Sequence, residues 1–232
     1  MSVLDQVRPT VDATIERLAA TKFVVDPVAG AELSRITSIV SSAYKRHGAI
    51  IEVALFHAIA ERNDISAENK VKFYVNRNAS SYVEGHNVKS PEGLEACLAT
   101  DVPYREEGAE YELDIVYYDH NRGRIVALEV KRGNGQFDRG KRDSMIKSAL
   151  TVRTLLRSYA HQRGWLANEV ESRIVAYYGV PQFPPPIYLR GRELNHFIGA
   201  GIEEAIEQVN DYFRDCLHAV VGGKAPQGEL FQ

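Results

Sequence analysis

The chain has 232 residues, of which 44% are hydrophobic and 25% are charged, a composition typical of a globular protein with one substantial core. The net charge of −3 argues against a uniformly basic protein that coats nucleic acid, but it leaves room for a local basic patch. Two distant cysteines argue against a disulfide framework and against a zinc site. The chain has neither a signal-peptide pattern nor a run of about 18 apolar residues, so we expect a cytoplasmic protein without a membrane partner.

Helical periodicity dominates the first part of the chain. Apolar residues recur at helical spacing over 11–22 and over 31–45, which predicts two amphipathic helices. After Gly48, the segment 49–62 is apolar on nearly every side and predicts a helix buried by its neighbours. Glu52 interrupts this apolar helix, and a buried acid without a partner is costly.

Strand patterns follow. Residues 70–75 alternate between apolar and polar side chains, which predicts a half-buried strand. Residues 76–110 contain scattered Gly and Pro, and we expect a long irregular connection with one short helix near 94–99. The segments 111–119 and 124–131 predict a β-hairpin, because the sequence HNRG between them contains good turn residues.

The last third of the chain alternates between helix and strand. Its patterns predict a long helix over about 143–163, a strand over 173–180, a Pro-rich irregular loop over 181–191 and a last helix over about 198–221.

The order of these elements predicts one α/β or α+β domain with a mixed central sheet flanked by helices. We expect this domain to span 1–221, with its core at about 50–180, additional N-terminal helices at about 11–47 and a C-terminal helix. The remaining residues, 222–232, are expected to form a flexible tail.

The predicted hairpin brings two acids and a lysine together. Side chains alternate across a strand, so Glu129 and Lys131 share one face. If Asn121 and Arg122 form the turn, opposed residue numbers sum to 243 and Asp114 lies across from Glu129, with Cβ atoms about 4.5–5.5 Å apart. A register shifted by two residues would set Asp114 opposite Lys131, and the cluster persists in either register.

Two carboxylates this close repel each other unless a cation lies between them. Mg²⁺ suits such a pair, because it prefers carboxylate and water oxygens and keeps positions open for a phosphate. The alternative is an ordinary solvated strand face, which is how most strand carboxylates behave. Two features favour a site: the flanking apolar residues indicate a sheet covered by helices, and Glu52 is a third acid in an apolar helix.

This arrangement resembles the PD-(D/E)XK nuclease superfamily. Asp114 is followed on the next strand by the segment 129–131, Glu-Val-Lys, and both follow a helix and a strand. The superfamily has a restriction-endonuclease-like fold with an α-β-β-β-α-β core, and the resemblance covers about 50–180. Leu113 stands where the motif has Pro, a change that this divergent superfamily tolerates.

The resemblance implies specific roles. Asp114 and Glu129 would bind Mg²⁺, for which Mn²⁺ would substitute, and the backbone carbonyl of Val130 would assist. Lys131 would contact the attacking water and the scissile phosphate, acting first through its charge and second in proton transfer. Glu52 matches an acid common on the first core helix of such enzymes, where it would bind a second ion or orient water, although an ion-paired structural role is the alternative.

A basic segment follows the predicted metal-binding strand. Residues 131–142 contain five Lys or Arg and one Asp. Charge runs are usually solvated surface, but this one starts at the predicted catalytic lysine and leads into a helix, where an anion near the first turn is favoured. We therefore expect contacts with DNA phosphates. The candidate nucleic-acid-binding residues are Arg132, Gln136, Arg139, Lys141 and Arg142.

The tail carries a short motif, QGELF, that resembles the bacterial sliding-clamp-binding peptide at Gln227, Leu230 and Phe231. A sliding clamp is therefore a candidate partner, and a tail that binds nothing is the alternative reading.

These observations predict a metal-dependent endodeoxyribonuclease that hydrolyses phosphodiester bonds in double-stranded DNA. A type II restriction enzyme is the most economical subtype at this length, and it would dimerise because cutting both strands needs two active centres. Repair, recombination and phage-defence nucleases of the same fold remain open. The competing hypothesis is a non-catalytic binding module on a nuclease-like scaffold, which predicts no metal at Asp114 and Glu129.

Overall fold

The computed structural model describes residues 1–133, 135–179 and 182–223. They form two compact units, one made of 1–58 with the described residues from 200 onward and one made of 59–199. The helices are α1 (Val3–Ala19), α2 (Gly30–Ala60), α3 (Arg77–Glu84), α4 (Pro91–Ala99), α5 (Arg139–Gln162), α6 (Leu194–Phe197) and α7 (Ile202–Val221). The strands are β1 (Ile65–Val75), β2 (Ala109–Asp119), β3 (Arg124–Lys131), β4 (Glu169–Ala176) and β5 (Tyr188–Leu189).

The first unit is helical. A capping box starts α1: Ser2 Oγ accepts a hydrogen bond from Asp5 N–H, and the Asp5 carboxylate accepts one from Ser2 N–H. The apolar stripe of α1 packs against α7. Tyr212 on α7 donates a hydrogen bond to Asp12 Oδ1 at 2.7 Å, which adds a polar contact to this helix pair. No helix within the described residues is both long and apolar enough to cross a membrane.

The predicted break at Gly48 is wrong. A single helix, α2, joins the segments 31–45 and 49–62 that we expected to be separate helices, and it ends at Ala60. Gly inside a helix costs about 1 kcal/mol relative to Ala. Burial of apolar side chains on both sides of Gly48, such as Ala43 and Ile51, offsets this cost.

The second unit contains a mixed five-stranded sheet in the order β1-β2-β3-β4-β5. The first three strands are antiparallel neighbours, while β4 runs parallel to β3 and β5 runs parallel to β4. The helix α5 connects β3 to β4, which is the crossover that adjacent parallel strands require. This confirms the predicted mixed sheet flanked by helices.

The hairpin prediction is confirmed in its register. β2 and β3 pair from Asp119 with Arg124 to Ile115 with Leu128, and each pair of numbers sums to 243 as expected. The ladder stops on both sides of the four-residue segment 120–123, within which Gly123 has a φ of +59° that favours glycine.

The helix α5 covers one face of this sheet. Val116 on β2 and Ala127 on β3 belong to one apolar core with Val152 and Leu155 on α5. On β3 the odd-numbered residues Ala127 and Glu129 lie on this side, and on β2 both Val116 and Leu113 do, so the alternation of β2 is interrupted between them. Glu129 of the predicted site therefore lies on the side of the sheet that α5 covers.

The segment 76–110 is more regular than expected. It contains two helices, α3 and α4, and only its last residues enter β2. Asn76 caps α3 by accepting a hydrogen bond from Ala79 N–H, and Ser90 caps α4 by accepting one from Gly93 N–H. The helix expected near 94–99 is confirmed as α4, which starts earlier, at Pro91, whereas α3 was not predicted because a helix this short carries little periodicity and packs against α5.

Several other boundaries differ from the prediction. The helix α5 starts at Arg139 rather than near 143, because Asp138 caps it by accepting a hydrogen bond from Lys141 N–H. The Pro-rich segment also contains the short strand β5, which pairs with β4. The remaining differences are that α1 spans Val3–Ala19, β1 starts at Ile65, β4 spans Glu169–Ala176 and α7 starts at Ile202.

Gly133 fixes the chain where it leaves β3, and we expect Gly133→Ala to lower the free energy of unfolding by about 2 kcal/mol. Its φ is +80°, and an added Cβ would lie 2.7 Å from the Cβ of Ala176. Urea unfolding followed by the fluorescence of Trp165, the sole tryptophan, measures the change. Gly135→Ala is the control, since nothing lies within 4 Å of its Cβ position. Equal losses in both variants would contradict the prediction.

Candidate functional site

The ladder between β2 and β3 ends immediately before Asp114. Ile115 and Leu128 are the last paired residues, so Asp114 and Glu129 are the next residues in register. The backbone N–H of Val130 donates a hydrogen bond to Asp114 Oδ2 at 2.7 Å rather than to a main-chain carbonyl. Beyond this point β2 stays paired with β1, and β3 stays paired with β4. The sheet is therefore split between β2 and β3 where the predicted ligands lie.

Three oxygens that were predicted to bind a metal surround the ammonium of Lys131. Its Nζ lies 2.5 Å from Glu129 Oε1 and 3.6 Å from Asp114 Oδ2. The same ammonium donates a hydrogen bond to the backbone carbonyl of Val130 at 3.1 Å. The structure thus brings together Asp114, Glu129, Val130 and Lys131, and their oxygens converge on one cation.

The site is partly shielded from solvent. The side chains of Asp114, Lys131 and Glu129 are 12%, 33% and 41% exposed. Burial by itself lowers the pKa of the Lys131 ammonium, but Glu129 and then Asp114 raise it, and the net pKa lies above the usual value. In this arrangement Lys131 carries a positive charge at neutral pH.

The donor set fits a hard divalent cation. Within the described residues, no group of three or more His, Cys, Asp or Glu side chains is placed to hold a metal. Mg²⁺, however, is commonly held by one or two carboxylates with water and substrate phosphates completing its coordination. Asp114, Glu129 and the Val130 carbonyl offer only hard oxygens, and they already surround a cation. These three residues would hold Mg²⁺.

Glu52 lies on α2 in the other compact unit, where its side chain is buried. Its participation in metal binding stays a prediction.

Lys70 is a site residue that sequence reasoning missed. It lies opposite Asp114 on β1, between the pairs Asn69 with Ile115 and Val71 with Leu113. Its Nζ lies 3.4 Å from Asp114 Oδ1 and 3.3 Å from a carboxylate oxygen of Glu112. It is the one non-glycine residue in the described ranges with positive φ, at +51°. Nothing in the alternating strand pattern signals this conformation.

The predicted nucleic-acid-binding residues lie partly in a helix rather than in a loop. Arg139, Lys141 and Arg142 belong to the first turn of α5, which contains no acidic residue. Cations at the start of a helix are opposed by the helix dipole, whereas an anion bound there is favoured by it. This placement corrects the expected loop and leaves the first turn strongly positive.

A shallow depression joins part of this basic segment to the carboxylate cluster. Lys131 lines it together with Arg132, Gln136 and Lys141. The guanidinium of Arg132 also lies over the ring of Tyr178, 5.6 Å from its centroid. Four of the residues predicted to meet substrate phosphates therefore border one surface.

The clamp-binding candidates Gln227, Leu230 and Phe231 lie outside the described residues.

The chain matches no family model, no curated protein and no solved structure. The geometry of the cluster and the resemblance of its motif are therefore the features that indicate a function.

The strain at Lys70 gives a stability test. A left-handed backbone costs a non-glycine residue about 1–2 kcal/mol, and Lys70→Gly removes this cost. The gain compensates for the ion pairs that the variant loses and for the conformational entropy that glycine loses on folding. We expect this variant to unfold at the same or a higher urea concentration than the wild type. Lys72→Gly, two positions along β1, should lose about 0.5–1 kcal/mol. Matching losses in the two variants would contradict the strain argument.

Proposed function

We propose that the chain is a metal-dependent endodeoxyribonuclease of the PD-(D/E)XK superfamily, with a restriction-endonuclease-like fold. One observation carries this proposal: two carboxylates and a main-chain carbonyl converge on a single cation where β2 and β3 separate. Oxygens held in this way suit Mg²⁺, and Mn²⁺ would substitute.

Each residue of the cluster has a distinct part in this function. The hydrogen bond from Val130 N–H holds the Asp114 carboxylate in place before substrate arrives. Glu129, which is more exposed, supplies the second carboxylate. When bound, Mg²⁺ would lower the pKa of a coordinated water and offset charge on the phosphate. Lys131 keeps a positive charge beside the same position and stabilises the negative charge that develops on the phosphate.

The proposed substrate is double-stranded DNA. The depression bordered by Lys131, Arg132, Gln136 and Lys141 would hold the phosphate backbone next to the carboxylates. A type II restriction enzyme that acts as a homodimer in the cytoplasm is the primary proposal, and repair, recombination and phage-defence nucleases are alternatives within the same fold. Recruitment to a sliding clamp through the tail is a separate proposal.

A second candidate is a non-catalytic nucleic-acid-binding module. Its support is the ion pair itself, because Lys131 neutralises Glu129 and Asp114 without a metal. This candidate predicts DNA binding without metal binding, so titration with Mn²⁺ in a calorimeter separates the two functions.

Cleavage of supercoiled plasmid in Mg²⁺ tests the proposed site. We expect Glu129→Gln and Lys131→Ala to lower the initial rate about 100-fold or more, because each removes charge that the transition state needs. Asp114→Asn keeps an acceptor for Val130 N–H, so it should lose activity while retaining the unfolding midpoint.

Matched controls lie at the hairpin end of the sheet. Glu169→Gln removes an exposed carboxylate at the start of β4, and Arg122→Ala removes an exposed cation in the turn. Both should cleave as the wild type does. Undiminished cleavage by Glu129→Gln and Lys131→Ala would refute the site, and calorimetry should show Mn²⁺ binding that Glu129→Gln weakens.

The basic first turn of α5 predicts a salt effect. Arg139→Ala and Lys141→Ala should each weaken binding to duplex DNA and reduce the slope of log K against log salt by about 0.9, the value for one lost phosphate contact. Fluorescence anisotropy over a range of salt concentrations measures both quantities. Arg122→Ala should leave the slope unchanged, and an unchanged slope in the α5 variants would exclude these phosphate contacts.

A further inference from the structure

The split between β2 and β3 opens into a cavity of about 210 Å³ beneath α5. Glu129, a predicted metal ligand, is part of its lining. Most of the wall is apolar and comes from both sheet and helix, with Leu113, Ile174 and Val152 among its residues. A space of this size beside the carboxylates has room for a ligand group and not merely for one water.

Three serine hydroxyls line the same cavity. Ser144 and Ser148 lie one turn apart on α5, and Ser172 lies on β4. Ser148 and Ser172 are half-buried and Ser144 is exposed, so their hydroxyls can offer hydrogen bonds to the polar edge of a ligand whose flat body fits the apolar wall.

The mouth of the cavity is aromatic. Tyr111 lines it with 38% of its surface exposed, so its ring is accessible. Tyr111, Ser144 and Ser148 also line an adjoining groove that continues to Lys147. A ring that can stack, hydroxyls that can bond a polar edge, and a nearby cation form the combination by which proteins bind single-stranded nucleic acid.

We propose that this cavity binds one unpaired nucleobase of the DNA strand, next to the phosphate that a metal at Asp114 and Glu129 would hold. The serine hydroxyls and the carboxylates of Glu112 and Glu129 in the lining disfavour a purely aliphatic chain. A base inside an intact duplex cannot reach the cavity, so the preferred substrate contains an unpaired or extruded nucleotide. This inference rests on the proposed nuclease function and specifies the DNA on which it acts.

Affinity for two DNA probes tests the inference without metal. In EDTA, fluorescence anisotropy should show that the wild type binds a duplex with one bulged nucleotide about tenfold more tightly than the same duplex fully paired, as expected for one stacked base. If the bulged nucleotide is 2-aminopurine, binding should also protect its fluorescence from acrylamide. Ser148→Leu fills the cavity and should abolish both the preference and the protection.

Two further variants control for folding. Ser158→Leu introduces the same change at another half-buried position of α5 that does not line the cavity, and it should retain the preference. Ser144→Ala with Ser172→Ala removes hydroxyls without adding volume and should reduce the preference. Equal wild-type affinity for both probes, or a preference that survives in Ser148→Leu, would overturn the inference.

The two proposals fail in different ways. If the wild type cleaves plasmid in Mg²⁺ but binds the bulged and paired probes equally, only the nucleobase cavity is refuted. If it neither cleaves nor binds DNA, the nuclease function fails and the cavity proposal fails with it.

Discussion

The hydrogen bond from Val130 N–H to the Asp114 carboxylate determines the geometry of the whole site. In a regular antiparallel ladder this N–H would pair with the neighbouring strand. Here the Asp114 carboxylate accepts this hydrogen bond instead, and the pairing of β2 with β3 ends at Ile115 and Leu128. The same bond fixes a carboxylate where the ladder ends, and Glu129, adjacent to Val130 on β3, lines the cavity beneath α5. The use of a carboxylate in place of a main-chain carbonyl as hydrogen-bond acceptor therefore links the fold to the proposed chemistry.

Two carboxylates at such a split need a cation, and the chain supplies several nearby. Lys131 lies among Glu129, Asp114 and the Val130 carbonyl, while Lys70 approaches Asp114 from β1. The first turn of α5 adds three further cations and no acid, although the whole chain has a net charge of −3. Local charge, not net charge, would govern binding to a polyanion.

The sequence was informative wherever structure depends on near neighbours. The period of the strands and the turn at 120–123 were sufficient for the hairpin register, which brings Asp114, Glu129 and Lys131 close together. The sequence was misleading at Gly48, where the burial of flanking apolar side chains outweighs the helix-breaking tendency of glycine. It was also misleading over 76–110, where two short helices pack against α5. The capping residues Asn76 and Ser90 mark the starts of these two helices in the sequence.

By itself, the sequence determined the mixed sheet, the hairpin and the identity of the clustered residues, because period and turn chemistry are local properties. Only the tertiary structure decided that the sheet splits at Asp114, that Lys70 adopts a left-handed backbone and that three serines meet in one cavity. Each of these depends on segments distant in the chain, such as β1, β4 and α5, packing around the same point. Pairing between distant segments leaves no periodic pattern within either one, so no reading of a single segment reveals it.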